Sequence, residues 1–161
     1  MTDIILFDYW RSSASYRVRI ALNLKGVAYE TVDTSLSREP LERATTLAQA
    51  MVVAADIHPV NNLRILKYLK NELGQDQEAV DRWYRHWITE GFAALEAMAP
   101  ESGLFGGNRP NLADICLVPQ IYNARRFATD LSAFPRLVRI DAACNEMEAF
   151  QNAAPEAVKP A

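Results

Sequence analysis

Cysteine and histidine are scarce in this sequence: its 161 residues include only Cys116 and Cys144, and only His58 and His86. With no Cys-x-x-Cys pair and no histidine cluster, structural zinc has no ligand set and no metal is expected. Two cysteines set in apolar helical patterns suit a reducing compartment, so a cytoplasmic protein is expected. Long apolar runs are missing too. The longest, Ala50 to Ala55, is far short of the roughly 20 residues that a membrane-spanning helix needs. Asp3 and Asp8 flank the run Ile4 to Phe7 and no basic region precedes it, unlike a secretory signal. There is no excess of positive charge: 17 basic against 20 acidic side chains leave −3, which gives a nucleic acid no overall attraction. Half of the residues are apolar and 23% are charged. That supports one real core, or two small domains sharing an interface, and excludes disorder.

The chain opens as strand, helix, strand. Ile4 to Tyr9 is a short apolar and aromatic run, Arg11-Ser12-Ser13 offers turn and cap chemistry, and Ala14, Val18, Ala21 and Leu22 form a helical stripe. Lys25 and Gly26 end that helix, and Val27 to Val32 is a second β-rich run. This spacing predicts a parallel βαβ unit. Downstream, nothing reads as a strand of that sheet. Arg38 to Ala55 predicts a helix with Leu41, Ala44, Leu47, Ala48, Met51 and Ala55 on its inward face. Pro59 should kink it, with Leu63, Leu66, Tyr68 and Leu69 continuing the stripe. Gln77 to Met98 predicts a second long helix. A third starts at Asn111, with Asp114 completing a capping box, and runs through a bend at Pro119 to about Phe127. A fourth begins near Pro135 and carries Leu137, Ile140, Cys144 and Met147 inward, and the tail from Ala153 is expected to be loose. The fold class is therefore an α/β N-terminal piece, residues 1–36, followed by an all-α helical-bundle domain, residues 37–161.

Three clusters could carry chemistry. The first, Arg11 to Arg19, lies where a parallel strand ends and a helix begins. Ligands of open α/β sheets bind at such junctions, and the helix N-terminus favours an anion or a thiolate. The bland alternative is that Ser12 or Ser13 caps the helix. Ala14 stands where a cysteine could act, so a thiolate working here has to come from a bound cofactor. The second cluster, Asp56 to Arg64, gathers His58, Asn61, Asn62 and Arg64 around the proline kink. Either these side chains contact a ligand or, more commonly, they satisfy backbone groups freed by the kink. In the third, Arg125 and Arg126 cannot share a helix face. An inward arginine pairs either with a substrate carboxylate or with a carboxylate of the chain, Asp114 or Asp130. Which arginine points inward stays open. Trp83, Tyr84 and Trp87 read as core, and His86 as surface.

These clusters together resemble one family. Arg11-Ser12-Ser13-Ala14-Ser15-Tyr16-Arg17-Val18-Arg19-Ile20-Ala21-Leu22 resembles the signature of zeta-class glutathione transferases, the maleylacetoacetate isomerases. Asp56-Ile57-His58-Pro59-Val60-Asn61-Asn62-Leu63-Arg64 is similar to the bacterial form of that family's C-terminal-domain motif, and Asn111 to Gln120 with Arg125-Arg126-Phe127 is similar to its later helix. The resemblance implies a thioredoxin-like N-terminal half, an all-helical C-terminal half and a homodimer. It implies glutathione as cofactor and a small dicarboxylic keto acid with a cis double bond as substrate. Carried over by position, Ser12 and Ser13 hold and activate the glutathione sulfur. Arg11 and Arg126 pair with substrate carboxylates, so Arg11, Ser12 and Ser13 form the catalytic set. His58, Asn62, Leu63 and Arg64 line the glutathione site.

The chain departs from the family twice. Ala14 replaces a cysteine present in many members. More substantially, the family's N-terminal half continues with a helix, two antiparallel strands and another helix, whereas here Asp33 to Leu36 leads directly into Ser37-Arg38-Glu39-Pro40. Those elements need roughly 50 residues, and in the family they grip the γ-glutamyl carboxylate and cysteinyl backbone of glutathione. The expected activity is glutathione-dependent cis–trans isomerisation of maleylacetoacetate or maleylpyruvate. Two alternatives are a catalytically impaired helical dimerisation module and a glutathione transferase acting on small halo-acids.

Overall fold

A computed structural model describes residues 4–8, 13–33 and 40–159. Ile5–Asp8 (β1) and Glu30–Asp33 (β2) pair in parallel, Ile5 opposite Glu30 and Asp8 opposite Asp33. Ser13–Leu24 (α1) provides the crossover, as parallel strands require. Gly26 takes φ +63°, and the Val27 N–H donates to the Leu22 carbonyl at 3.0 Å, closing α1. This closing turn delays β2 to Glu30, three residues after the expected start.

The chain forms two compact units, Met1–Thr45 and Thr46–Ala161. In the first, none of the described side chains is buried, and Leu24 is 83% exposed. The core belongs to the second. There Gln77–Met98 (α5) buries Val80, Tyr84, Ile88, Phe92 and Leu95 along one stripe. Against that stripe pack Val53 and Ile57, then Leu117 and Ile121 of Leu112–Arg126 (α6), then Leu137, Ile140 and Cys144 of Pro135–Asn145 (α7). The expected capping box is present, with Asn111 Oδ1 accepting from Asp114 N and Asp114 Oδ2 accepting from Asn111 N. Pro119 lies within α6, which runs unbroken through it. No side chain at the start of α7 caps it. Glu96 of α5 does so instead, accepting from Arg136 N at 3.0 Å and Leu137 N at 3.1 Å.

The first long helix differs from its expectation. Pro40–Met51 (α2) passes into a π-helical segment, Val52–Ile57, then His58–Val60 (α3) and Leu63–Asn71 (α4). Ala44, Leu47, Ala48, Met51 and Ala55, expected to face inward, are exposed, whereas Gln49, Ala50, Val53 and Ile57 are buried. The run Ala50 to Ala55 is apolar on every side, so periodicity alone offers two faces. The fit between Ile57 and Gly91 selects one: a Cβ at Gly91 would lie 2.4 Å from both Ile57 Cγ1 and Cδ1. The break also lies elsewhere. Pro59 sits inside the first turn of α3, and the chain departs from helix at Asn61 (φ −99°, ψ 8°) and Asn62 (φ −64°, ψ 147°). In an α-helix the Pro59 ring would meet the carbonyl four residues earlier. The wider π turn, with the His58 N–H donating to the Val53 carbonyl, relieves that clash. Beyond the break Leu69 is buried, but Leu63 is 63% and Tyr68 56% exposed, so the stripe does not continue through them.

The tail is another correction. Glu148–Gln151 (α8) and Pro155–Val158 (α9) are short helices, and the Tyr122 hydroxyl donates to Glu156 Oε1 at 2.8 Å. This bond tethers to α6 a segment that sequence periodicity could not register.

Candidate functional site

In the first unit, β1 ends at Asp8 and α1 opens at Ser13. Arg11 and Ser12 lie outside the described residues. The first N–H groups of α1 have no helical acceptor, and the helix dipole adds positive character there, which suits an anionic atom.

The second unit contributes two elements. At the α3–α4 junction, His58, Leu63 and Arg64 are exposed and Asn62 is half-buried. Asn62 Oδ1 accepts the Arg64 N–H at 3.1 Å, so it caps α4, the bland role weighed for it, and its Nδ2 has no acceptor among the described residues. Asn61 is the residue that holds the junction. It is 7% exposed, and its Nδ2 donates to the Tyr84 carbonyl at 3.0 Å. Alongside, Trp83 Nε1 donates to the Val60 carbonyl at 3.0 Å.

At the end of α6 the two arginines have different partners. Arg125 pairs with Asp141 at 2.7 Å. The two carboxylates considered for it are otherwise engaged. Asp114 accepts from Phe105 N, Gly106 N and Asn111 N, and Asp130 accepts from Ser132 N. Arg126 forms no salt bridge among the described residues. Its Cζ lies 5.6 Å from the Phe127 ring centroid, and Phe127 is stacked on Tyr84 with centroids 3.6 Å apart and planes at 12°. Arg85 Nη1 donates to the Phe127 carbonyl at 3.4 Å. Burial pushes the Tyr84 phenol pKa up, and the nearby Arg126 charge pulls it back. Three consecutive residues of α5 therefore reach both elements, and none of the sequence clusters contained them. The signal available was an aromatic doublet at core spacing, which reads equally well as plain packing.

The protein's own thiols are unsuited to nucleophilic work. Burial, with smaller contributions from Asp114 and Asp141, pushes the Cys144 thiol up to about 12, and burial also raises Cys116. Both stay protonated at neutral pH. A reactive thiolate at the α1 junction is thus a role for a bound molecule. Among the described residues no group of His, Cys, Asp and Glu could hold a metal ion, and no helix is long and apolar enough to cross a membrane.

No family profile matches the chain. It is 41% identical to the probable maleylacetoacetate isomerase of Vibrio cholerae over 209 aligned positions, with 97% of each chain covered. Among solved structures it resembles a holo maleylpyruvate isomerase, a bacterial glutathione S-transferase of the zeta class, at 35% identity and TM-score 0.75, covering 98% of this chain and 100% of that one. The chain belongs to the zeta-class glutathione transferase (maleylacetoacetate isomerase) family. A further neighbour, the maleylacetoacetate isomerase of Anaeromyxobacter dehalogenans with bound dicarboxyethyl glutathione and citrate in the active site, is 31% identical at TM-score 0.73, covering 98% of this chain and 93% of that one. The Vibrio alignment runs over 209 positions against 161 residues here, so at least 48 (209 − 161) have no counterpart in this chain. With coverage near complete on both sides, the shortfall is internal. Among the described residues, the first unit holds a two-stranded βαβ piece and the second is helical.

Proposed function

We propose that this protein is a glutathione-dependent cis–trans isomerase of maleylacetoacetate or maleylpyruvate. The observation carrying this reading is the division of labour at the end of α6: Arg125 is neutralised by Asp141, while Arg126 has no carboxylate partner among the described residues. An exposed guanidinium beside an aromatic stack is a ready partner for a substrate carboxylate. Glutathione, when bound, supplies a thiolate that adds reversibly to the conjugated double bond so that the bond can rotate.

The chain's residues hold and balance charge. In the first unit, Ser12 and Ser13 donate to the sulfur, the α1 N-terminus favours its ionised form, and Arg11 faces a substrate carboxylate. In the second, Arg126 pairs with a substrate carboxylate, and His58, Asn62 through its free amide, Leu63 and Arg64 line the glutathione site. Arg126 also offsets negative charge that develops on the substrate during addition. The relative crystallised with dicarboxyethyl glutathione and citrate supports a site suited to carboxylates next to glutathione. The protein works as a homodimer in the cytoplasm, where its two free cysteines stay reduced.

The test is glutathione-dependent conversion of maleylpyruvate to its trans isomer. Turnover is expected with millimolar glutathione and none without it. No turnover, combined with no retention on a glutathione column, rules the reading out. The internal shortfall and the absence of buried described side chains in the first unit favour a second reading, a helical dimerisation module without catalysis. That reading predicts a concentration-dependent oligomer whose melting temperature ignores glutathione.

A further inference from the structure

We propose that Tyr84 is a positioning residue for Arg126, its ring acting through Phe127 to set the guanidinium against a substrate carboxylate. The inference rests on Arg126 having the carboxylate-binding role given above. Arg126 is the last residue of α6, and Phe127 follows it immediately. The Phe127 ring is pressed flat on Tyr84, and the Arg126 guanidinium lies 5.6 Å from that ring. A cation near a fixed aromatic face is favoured there by the ring's quadrupole, so the set of the ring biases where the guanidinium lies.

The ring is set firmly. Tyr84 is 7% exposed, and Arg85, next on α5, donates to the Phe127 carbonyl. Beyond Phe127 the chain turns sharply through Ala128 at φ +52°, with Ala128 N donating to the Arg125 carbonyl and Thr129 N to the Ala124 carbonyl. The helix end, closed on itself in this way, cannot drift from α5 without losing both the stack and the Arg85 hydrogen bond. The same turn of α5 reaches the α3–α4 junction, because the Tyr84 carbonyl accepts from Asn61 and Trp83 donates to the Val60 carbonyl. Tyr84 thus registers the arginine against the segment carrying His58 and Arg64. Its hydroxyl makes no hydrogen bond to a described residue, so the ring does the positioning.

The experiment measures binding of maleate, a stable cis-dicarboxylate, to the full chain by calorimetry, with melting temperature as a check on folding. Arg126→Gln is expected to weaken maleate at least tenfold. Tyr84→Leu, which removes the stack, is expected to weaken it about tenfold, a modest fraction of what a misplaced group can cost. Tyr84→Phe, which keeps the ring, stays within about twofold. In the Arg126→Gln background Tyr84→Leu adds less than about twofold, because the two residues act as a unit. Phe127→Leu is the second variant, removing the stack from its other side with the same expected pattern. Equal losses in both backgrounds, a Tyr84→Phe effect as large as Tyr84→Leu, or no maleate binding by the unmodified chain overturns the proposal. Turnover measured on the same samples reports separately on the isomerase reading: maleate binding that depends on Arg126, without turnover, overturns that reading and leaves this one standing.

Discussion

Arg125 and Asp141 form an ion pair at 2.7 Å that joins the end of α6 to α7, between a guanidinium 51% exposed and a carboxylate 2% exposed. Asp141 Oδ1 also accepts from Asn145 Nδ2 at 3.0 Å. The neighbouring Arg126 takes no part. Arg125→Gln leaves a buried carboxylate short of a partner and should cost about 2 kcal/mol, less than a fully buried pair because the arginine is half in water. Arg126→Gln should change stability by less than about 0.5 kcal/mol, as exposed substitutions do, while lowering isomerase activity at least tenfold. Urea denaturation and turnover on the two variants give opposite patterns. A large stability loss in Arg126→Gln would contradict the assignment.

Gly91 and Ile57 fit together only because Gly91 has no side chain. Gly91→Ala would place a methyl 2.4 Å from two carbons of a residue 1% exposed. Overpacking of this kind costs about 1–3 kcal/mol, partly offset by the better helix propensity of alanine. A net loss of about 1–2 kcal/mol is expected. Because the two sites touch, Ile57→Ala should cost less in the Gly91→Ala background than alone. Additive losses would show that this contact does not select the buried face.

Asp114 sets a pH dependence. Burial pushes its carboxyl pKa above the ordinary 3.8, against the lowering effect of the backbone N–H groups of Asn111, Phe105 and Gly106. A carboxyl with a higher pKa folded than unfolded binds its proton more tightly in the fold. Its contribution is therefore full below the unfolded value and declines as pH rises through the folded one. Asp114→Asn loses acceptors for N–H groups it now satisfies and should be less stable by about 1–3 kcal/mol. The difference between the two proteins should narrow as pH rises above the ordinary carboxyl value of 3.8. Denaturation midpoints measured along that rise decide it, and a widening gap would show the reverse shift.

Local signals with one physical outcome were legible. Asn111 and Asp114 stand at the one spacing that closes a capping box, and the stripe from Val80 to Leu95 has one apolar face, so α5 and the start of α6 follow from the sequence. Ala50 to Ala55 offered two faces, and choosing between them needed Gly91 from a helix more than 30 residues away. The partner of Arg125 was equally out of reach, because Asp141 becomes its neighbour only when α7 packs on α6. The tail has no periodicity because its tether is a single bond from Tyr122 to Glu156. At the proposed site, Asn61, Asn62 and Arg126 stood out by residue type, whereas Tyr84 acts through backbone and ring contacts that leave no motif.

The two-stranded sheet has a thermodynamic consequence. Among the described residues it has only two strands of four residues each, and so small a sheet opens locally at low cost. Any molecule held at the start of α1 must then supply the free energy of ordering those strands from its own contacts, so its measured affinity is the intrinsic one reduced by the fraction of molecules in which the strands are paired. Order and occupancy of the first unit become a single equilibrium, set by the concentration of whatever binds there.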